Sequence, residues 1–190
     1  MKDEYSAAAK IFHWLLALMI FVSFGVGFYM VDQPFSPQRL KLYNWHKWAG
    51  VTILVLSAFR LLWRLYKPAP ALPETMATWQ KNASHSVLML LYVLFFAVPI
   101  TGWIYSSAAG FPIVWLGLIP LPDLVDKNRA LAELIKPFHG VAAKVLATVV
   151  VLHVAAALKH YFIDRDGLLK RMQPRFLGSP SVSISNKEPS

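Results

Sequence analysis

The chain has 190 residues, of which 56% are hydrophobic, and its mean hydropathy is +0.46. This composition is too apolar for a soluble domain of this size and predicts an integral membrane protein. The formal net charge is +9 and cysteine is absent, which excludes a c-type haem attached through C-x-x-C-H and an iron–sulfur cluster held by thiolates. We expect a lipid bilayer around the chain and no nucleic-acid partner.

Four apolar segments are long enough to cross a hydrocarbon core of about 30 Å, which needs roughly 20 helical residues. They cover about residues 10–30, 43–66, 83–105 and 138–161. The first segment lacks the small-residue cleavage site of a signal peptide, so we expect it to be retained. We predict an all-α membrane four-helix bundle over residues 1–176 and a disordered tail, rich in Ser and Pro, over 177–190.

The connections between these segments carry turn signals. Pro34 and Pro37 interrupt the first connection, which we expect to be a short turn. The second connection, residues 67–81, contains three prolines and is not expected to be helical. The third, FPIVWLGLIPLPDLVDKNRALAELIK, mixes apolar residues with prolines and charges. We expect it to lie against the membrane surface and to cover one mouth of the bundle.

The basic residues predict the orientation of the bundle. With the N-terminus in the cytoplasm, twelve of the 19 Lys and Arg residues face the cytoplasm and seven face the outside. This bias supports a cytoplasmic location for both termini by the positive-inside rule. An even number of helices agrees with that arrangement.

Four histidines lie at two depths of the predicted bundle. His139 and His153 are fourteen residues apart on the last helix, close to four turns, so both leave the same face about 21 Å apart. In an antiparallel bundle His13 matches the depth of His153 (the inner pair), and His46 matches the depth of His139 (the outer pair). A histidine inside a membrane is costly without a partner. The two pairs predict two non-covalent b haems, with a histidine on each side of each iron.

Two roles besides haem ligation are open to these histidines. Any single imidazole could bond a neighbouring backbone group, and zinc is a second possible ion. A structural zinc site needs four close nitrogen or sulfur ligands, whereas most of the membrane separates the two pairs. The matched depths favour two haems over both of these roles.

Three basic residues could neutralise haem propionates. Arg60 follows His46 by fourteen residues and leaves the same face at the depth of the inner pair, so we predict that it binds a propionate of the inner haem. Arg64 could add a contact or extend to the cytoplasmic interface. Lys144 could contact a propionate of the outer haem or extend outward.

The remaining polar and aromatic residues allow several functions. His160 lies two turns beyond His153, where it could hydrogen-bond a quinone carbonyl and give it a proton, or simply face interfacial water. His85 could serve the same site or cap the start of the third helix. The tryptophans fall mostly at predicted membrane boundaries, which is typical of an aromatic belt.

The chain resembles the bacterial four-helix cytochrome b561 family in the stretches YSAAAKIFHWLL, HKWAGVTILVLSAFRLLWRL, LLYVLFFAVPITG and HGVAAKVLATVVVLHVAAALKHYF. The likeness is strongest to the superoxide oxidase type. It implies a multi-pass protein of the bacterial inner membrane that takes electrons from superoxide at the periplasmic face and delivers them through two b haems to ubiquinone. The resemblance also assigns the inner haem to His13 and His153, the outer haem to His46 and His139, and the quinone site to His160.

Two functions follow from these features. The first is superoxide:ubiquinone oxidoreductase activity, which the outer excess of seven basic over four acidic residues favours because it could steer a small anion. The second is a membrane subunit that relays electrons between the quinone pool and a periplasmic redox protein, docked by the same basic surface. Neither function needs a catalytic side chain beyond the haems.

Overall fold

A computed structural model describes residues 4–173, so the predicted tail at 177–190 lies outside the described residues. Four helices form the body of the protein: α1 (Ala7–Val31), α2 (Pro37–Tyr66), α3 (Thr78–Ala108) and α4 (Arg129–Lys159). All four are long and apolar enough to cross a membrane. α1 packs along α2, α2 along α3, and α3 along α4. The protein is therefore the all-α four-helix bundle that the sequence predicts.

All four helices begin earlier than predicted, and the N-terminal signals of α2 and α4 lie outside the apolar segments. α2 begins at Pro37, where Ser36 Oγ accepts the Arg39 N–H at 3.2 Å and the proline occupies the first turn. α4 begins at Arg129, where Asn128 Oδ1 accepts the Leu131 N–H at 3.0 Å. α3 begins at Thr78. The expected turn at Pro37, the expected non-helical connection up to residue 81 and the expected start of the last helix near residue 138 were therefore wrong.

The connection between α3 and α4, residues 109–128, forms what we call the cap. It contains a two-stranded antiparallel hairpin, β1 (Val114–Trp115) and β2 (Ile119–Pro120), with Trp115 opposite Ile119. Leu116 and Gly117 turn the chain with positive φ angles of 54° and 73°. The cap lies at the end of the bundle where α2 and α4 begin, and we call this end the cap end.

Three tryptophan indoles fix the cap to the helices. Trp48 Nε1 donates to the Val114 carbonyl at 2.6 Å, and Trp103 Nε1 donates to the Pro122 carbonyl at 3.1 Å. Trp115 reaches back from the hairpin and donates to Thr52 Oγ1 at 3.2 Å. These indoles therefore make specific tertiary hydrogen bonds in addition to any contact with the membrane interface.

The two ends of the described chain meet at the opposite end of the bundle, which we call the terminal end. After α4 the chain forms a π-helical turn (His160–Asp164) and the short helix α5 (Leu168–Met172). The Tyr5 N–H donates to the Arg171 carbonyl at 3.3 Å, and Trp14 Nε1 donates to the Met172 carbonyl at 2.9 Å. α5 is thereby held against the start of α1.

The buried core lies between the two histidine levels and draws on all four helices. Its members are apolar side chains with less than a tenth of their surface exposed: Leu16, Ile20, Ile53, Leu91, Leu94, Phe95, Val98, Leu146 and Val149. Many other large apolar side chains on the same helices are exposed, among them Leu18, Phe21 and Val151. Such a surface suits hydrocarbon as its solvent.

Replacing Trp48 with phenylalanine is expected to loosen the cap. The substitution keeps most of the ring and removes the N–H that donates to Val114, at a cost of about 1 kcal/mol. Hydrogen exchange of the amides in residues 111–120 should accelerate roughly fivefold on that basis. Trp79→Phe is the matched control, since Trp79 lies at the other end of the bundle and is 69% exposed. Unchanged exchange in the Trp48 variant would show that this bond does not hold the cap.

Candidate haem sites

The bundle brings together the histidines of each predicted pair. The ring centroids of His13 and His153 lie 6.3 Å apart with an angle of 72° between the rings. Those of His46 and His139 also lie 6.3 Å apart, with an angle of 82°. A metal–imidazole bond is about 2.0 Å long, so two imidazoles on opposite sides of one ion place their centroids about 6 Å apart. Each pair therefore has the separation needed to hold one metal ion.

His46 of the outer pair is oriented by α1. Its Nδ1 donates to the Ser23 carbonyl at 3.2 Å, with Ser23 Oγ at 3.4 Å. One turn further along α1, Gly27 leaves room for the ring, because a Cβ atom at this position would lie 3.0 Å from Cε1 of His46. We call this arrangement, a carbonyl with a glycine four residues later, a glycine pocket.

His139 occupies a second glycine pocket on α3. Its Nδ1 donates to the Val98 carbonyl at 3.0 Å, and Thr101 Oγ1 lies 3.2 Å from the same nitrogen. A Cβ atom at Gly102 would lie 3.0 Å from Cε1 of His139. Because the backbone uses Nδ1 in both rings, Nε2 is the nitrogen left to bind a metal.

The space around the pairs suits a flat macrocycle. Within the described residues, α4 makes few close backbone contacts with α1 and α2, although these are the helices with which it shares the histidine pairs. Gly50 and Gly140, each near a ligand of the outer pair, have nothing within 4 Å of a built Cβ atom. The two pairs therefore span an opening between helices, and a planar haem b fits the nitrogen donors and the open space.

Arg60 lies where the sequence predicts it, near the inner pair. Its guanidinium interacts electrostatically with His13 and His153, and Nη1 donates to the Ala9 carbonyl at 3.1 Å. Arg60 also lines a small cavity with Tyr92, whose buried hydroxyl makes no hydrogen bond of standard geometry within the described residues. The guanidinium of Arg60 and the hydroxyl of Tyr92, which interact with each other, both offer donors to a carboxylate such as a haem propionate.

Three other predicted residues have different surroundings. Arg64 lines the same cavity as Arg60. Lys144 is exposed and lies roughly 140° around α4 from His139, so the helix does not direct it into the gap between the outer pair. His85 lies well inside α3 and is exposed, and the first turn of that helix is instead closed by the Ala77 N–H donating to Gln80 Oε1. The prediction that His85 could cap α3 was therefore wrong.

The sequence did not predict two features of the terminal end. Lys10, one turn before His13, is only 6% exposed and pairs with Glu4 at 2.8 Å. His160 is held by carboxylates: its Nδ1 lies 2.6 Å from Asp166 Oδ2 and 3.0 Å from Asp164 Oδ2. The stretch KHYFIDRD shows these acidic residues near the histidine, but it does not show the π-helical turn that brings them to one ring nitrogen.

Sequence comparison matches the chain to one protein family and to several known proteins. The family model of the prokaryotic cytochrome b561 matches residues 4–175. The chain is 31% identical to cytochrome b561 homolog 2 of Escherichia coli, over 90% of this chain and 91% of the relative. It is 29% identical to the probable superoxide oxidase CybB of Yersinia pestis, over 94% of this chain and the whole relative. Cytochrome b561 homolog 1 of Escherichia coli is 27% identical over 91% of this chain and 98% of the relative.

The family match extends over the four helices, the cap and the π-helical turn, and so includes both histidine pairs. The nitrogen donors, their spacing and the open space between helices suit the cofactor of that family. The chain belongs to the prokaryotic cytochrome b561 family, whose members are membrane proteins that transfer electrons through haem b.

Proposed function

We propose that this cytochrome oxidises superoxide at the cap end and reduces ubiquinone at the terminal end. His46 with His139, and His13 with His153, each hold one haem b, which supplies one-electron redox chemistry when bound. Two superoxide anions lose one electron each and leave as dioxygen. One ubiquinone gains those two electrons and two protons and becomes ubiquinol, so charge and atoms balance.

The observation that carries this proposal is a basic cavity of about 320 Å³ at the cap end. It lies between the end of α3 and the start of α4, and three of its lining residues are cationic: Lys127, Arg129 and Lys136. Lys136 precedes His139 by one helical turn. The three cations of the cavity outnumber its one acidic lining residue, Glu133, so the cavity would concentrate a small anion at the end of the bundle that holds the outer pair.

The second support is the similarity to the Yersinia pestis relative, which is named a probable superoxide oxidase. At 29% identity that name makes the activity a reasonable proposal for this chain. Placing the terminal end in the cytoplasm of a bacterial inner membrane follows the bias of basic residues. In this orientation the cap end faces the periplasm, where superoxide would approach.

A relay between the quinone pool and a periplasmic redox protein is the second candidate. The exposed rim of the basic cavity favours it, because the side chains of Arg129 and Glu133 are 93% and 68% exposed and form an ion pair. An acidic protein surface could dock against this rim. Turnover with superoxide alone separates the two functions, since the relay needs a protein donor.

At the terminal end, we propose that Arg60 binds a propionate of the inner haem and that His160 belongs to the quinone site. Arg60 has the donors and the electrostatic proximity for that role. His160 lies seven residues after His153, about 10 Å along the helix axis. A quinone beside His160 would therefore lie just beyond the inner pair.

The test measures haem reduction after a pulse of superoxide in protein reconstituted with ubiquinone. The Arg129→Gln and Lys136→Gln double variant should be reduced about 3- to 10-fold more slowly at low salt, and the difference should shrink as salt screens the charges. Lys81→Gln removes a charge at the terminal end and should have no effect. Superoxide decay that is the same with and without the wild-type protein would overturn the proposed activity.

A further inference from the structure

His160 has an unusual setting for a histidine at a membrane boundary. The π-helical turn (His160–Asp164) and the left-handed residue Arg165, with a φ of 52°, fold the chain back beneath the end of α4. This fold brings Asp164 and Asp166 to the same ring nitrogen, at 3.0 and 2.6 Å. The side chains of His160 and Asp166 are only 15% and 16% exposed. Asp166 and His160 thus form a largely enclosed pair at the terminal end, which we call the Asp–His couple.

The carboxylate of Asp166 is fixed at both oxygens. Oδ2 faces the His160 ring, while Oδ1 accepts the N–H of Leu168, the first residue of α5, at 3.0 Å. α5 is itself held to α1 through the bond from Trp14 to the Met172 carbonyl. The ring of Trp14 contacts that of His13 at a centroid distance of 5.3 Å. The Asp–His couple is therefore mechanically connected to the inner pair.

The charges around the ring define its chemistry. An ionised carboxylate only accepts hydrogen bonds, so Nδ1 of His160 must carry a proton. Lys159 of α4 is bound to Asp164 at 2.6 Å, while Arg165 donates to the Phe162 carbonyl and Arg171 of α5 to the Ala71 carbonyl. Asp166 is then the carboxylate whose contact with the ring is the shortest. Nε2 is left as the nitrogen that can exchange a proton with a ligand.

The imidazole of His160 and the carboxylates of Asp164 and Asp166 lie close enough together to hold a metal ion, with their ligand atoms within 4.8 Å of one another. The ammonium of Lys159 already forms an ion pair with Asp164. The Nδ1–H of His160 already donates a hydrogen bond to Asp166. An added cation would have to displace both. The cluster is better suited to holding a proton than to binding a metal.

We propose that Asp166 is a positioning residue that holds the His160 ring in one orientation for proton transfer to ubiquinone, an inference that rests on the proposed quinone reduction. The Nε2–H bond of the charged ring breaks, and an O–H bond forms at one carbonyl oxygen of the quinone as it is reduced. Water supplies the proton for the other oxygen and reprotonates Nε2 after the quinol leaves. Nδ1 keeps its proton throughout, bound to Asp166.

Asp166→Asn tests this role while preserving the local fold. The asparagine Oδ1 can still accept the Leu168 N–H, but an amide N–H replaces the carboxylate oxygen that faces His160. We expect the kcat for quinone reduction to fall about 100-fold, the contribution of a weak general acid, with little change in KM.

Two further measurements and a control variant keep the outcome decisive. Equilibrium binding of a short-chain ubiquinone analogue should remain within about threefold of wild type, because Nε2 can still donate a hydrogen bond. Nitrogen NMR of labelled histidine should show a changed Nδ1 signal for His160 in the variant, because the shortest contact of that nitrogen is lost. Asp32→Asn, which removes an exposed carboxylate at the cap end outside the basic cavity, should leave all three readouts unchanged.

Failure of this inference differs from failure of the proposed function. If quinone does not reoxidise the dithionite-reduced wild-type protein, the proposed function fails. If the wild type reacts but Asp166→Asn keeps its kcat, the role of Asp166 fails alone. Loss of quinone binding together with unfolding of α5, detected by faster exchange of its amides, would also overturn it and make Asp166 a structural residue only.

Discussion

Alanine at His139 or at His153 is expected to remove one haem from the protein and to leave the other in place. The two residues belong to different pairs, and each pair would hold its own haem. Haem per polypeptide should fall from two to about one in each variant, and the double variant should bind none. Extraction and spectroscopic quantification of haem b after purification measure this directly.

His85→Ala is the matched control for this experiment. His85 is exposed on α3 and should keep both haems on substitution. The remaining haem should also differ between the two variants in its spectrum and its reduction potential, because the two pairs have different neighbours. Retention of both haems in either variant would contradict the ligand assignment, and so would loss of both haems in each.

Valine at Gly102 is expected to empty the outer site almost as completely as removal of His139. A Cβ atom at this position already lies 3.0 Å from the imidazole, and the two further methyl groups of valine leave the ring no room in its pocket. The bond from Nδ1 to the Val98 carbonyl would break, and Nε2 would turn away from His46. Haem content should fall to about one per polypeptide, with the inner haem unaffected.

Gly25→Val separates this steric effect from the poor helix propensity of valine. Gly25 is on α1 and has nothing within 4 Å of a built Cβ atom, so the same substitution there should keep two haems. Gly102→Ala should give an intermediate result with a shifted spectrum of the outer haem. A full complement of haem in Gly102→Val would show that the glycine pocket does not position His139.

Much of the architecture could be predicted from local sequence. Apolar segment length predicted four helices, and the fourteen-residue spacing with matched depths predicted which histidines meet. The errors at the helix starts have a local cause as well. Pro37 is a common turn residue, but Ser36 with a proline in the first turn is also a typical helix start. The sequence therefore contains the helix-start signal at Ser36 and Pro37. The predicted boundary followed the apolar segment instead, which begins further along the chain.

The contacts that orient the histidines could not be predicted in the same way. The glycine pocket of His139 depends on the rotation of α3 relative to α4, and a single sequence does not determine helix rotation. Gly102 could have been noticed as a glycine within an apolar helix, but its partner could not. The Asp–His couple at Asp166 likewise requires the π-helical turn, which no periodicity in the sequence predicts.

We infer from the glycine pockets a direction for the proposed electron transfer. Hydrogen bonds from Nδ1 to carbonyl oxygens would make His46 and His139 stronger electron donors to a bound iron, which would stabilise the oxidised metal and lower its reduction potential. At the inner pair, the positive charge of Arg60 would instead favour the reduced metal. An electron that enters at the cap end would on this basis move to the higher potential at the terminal end.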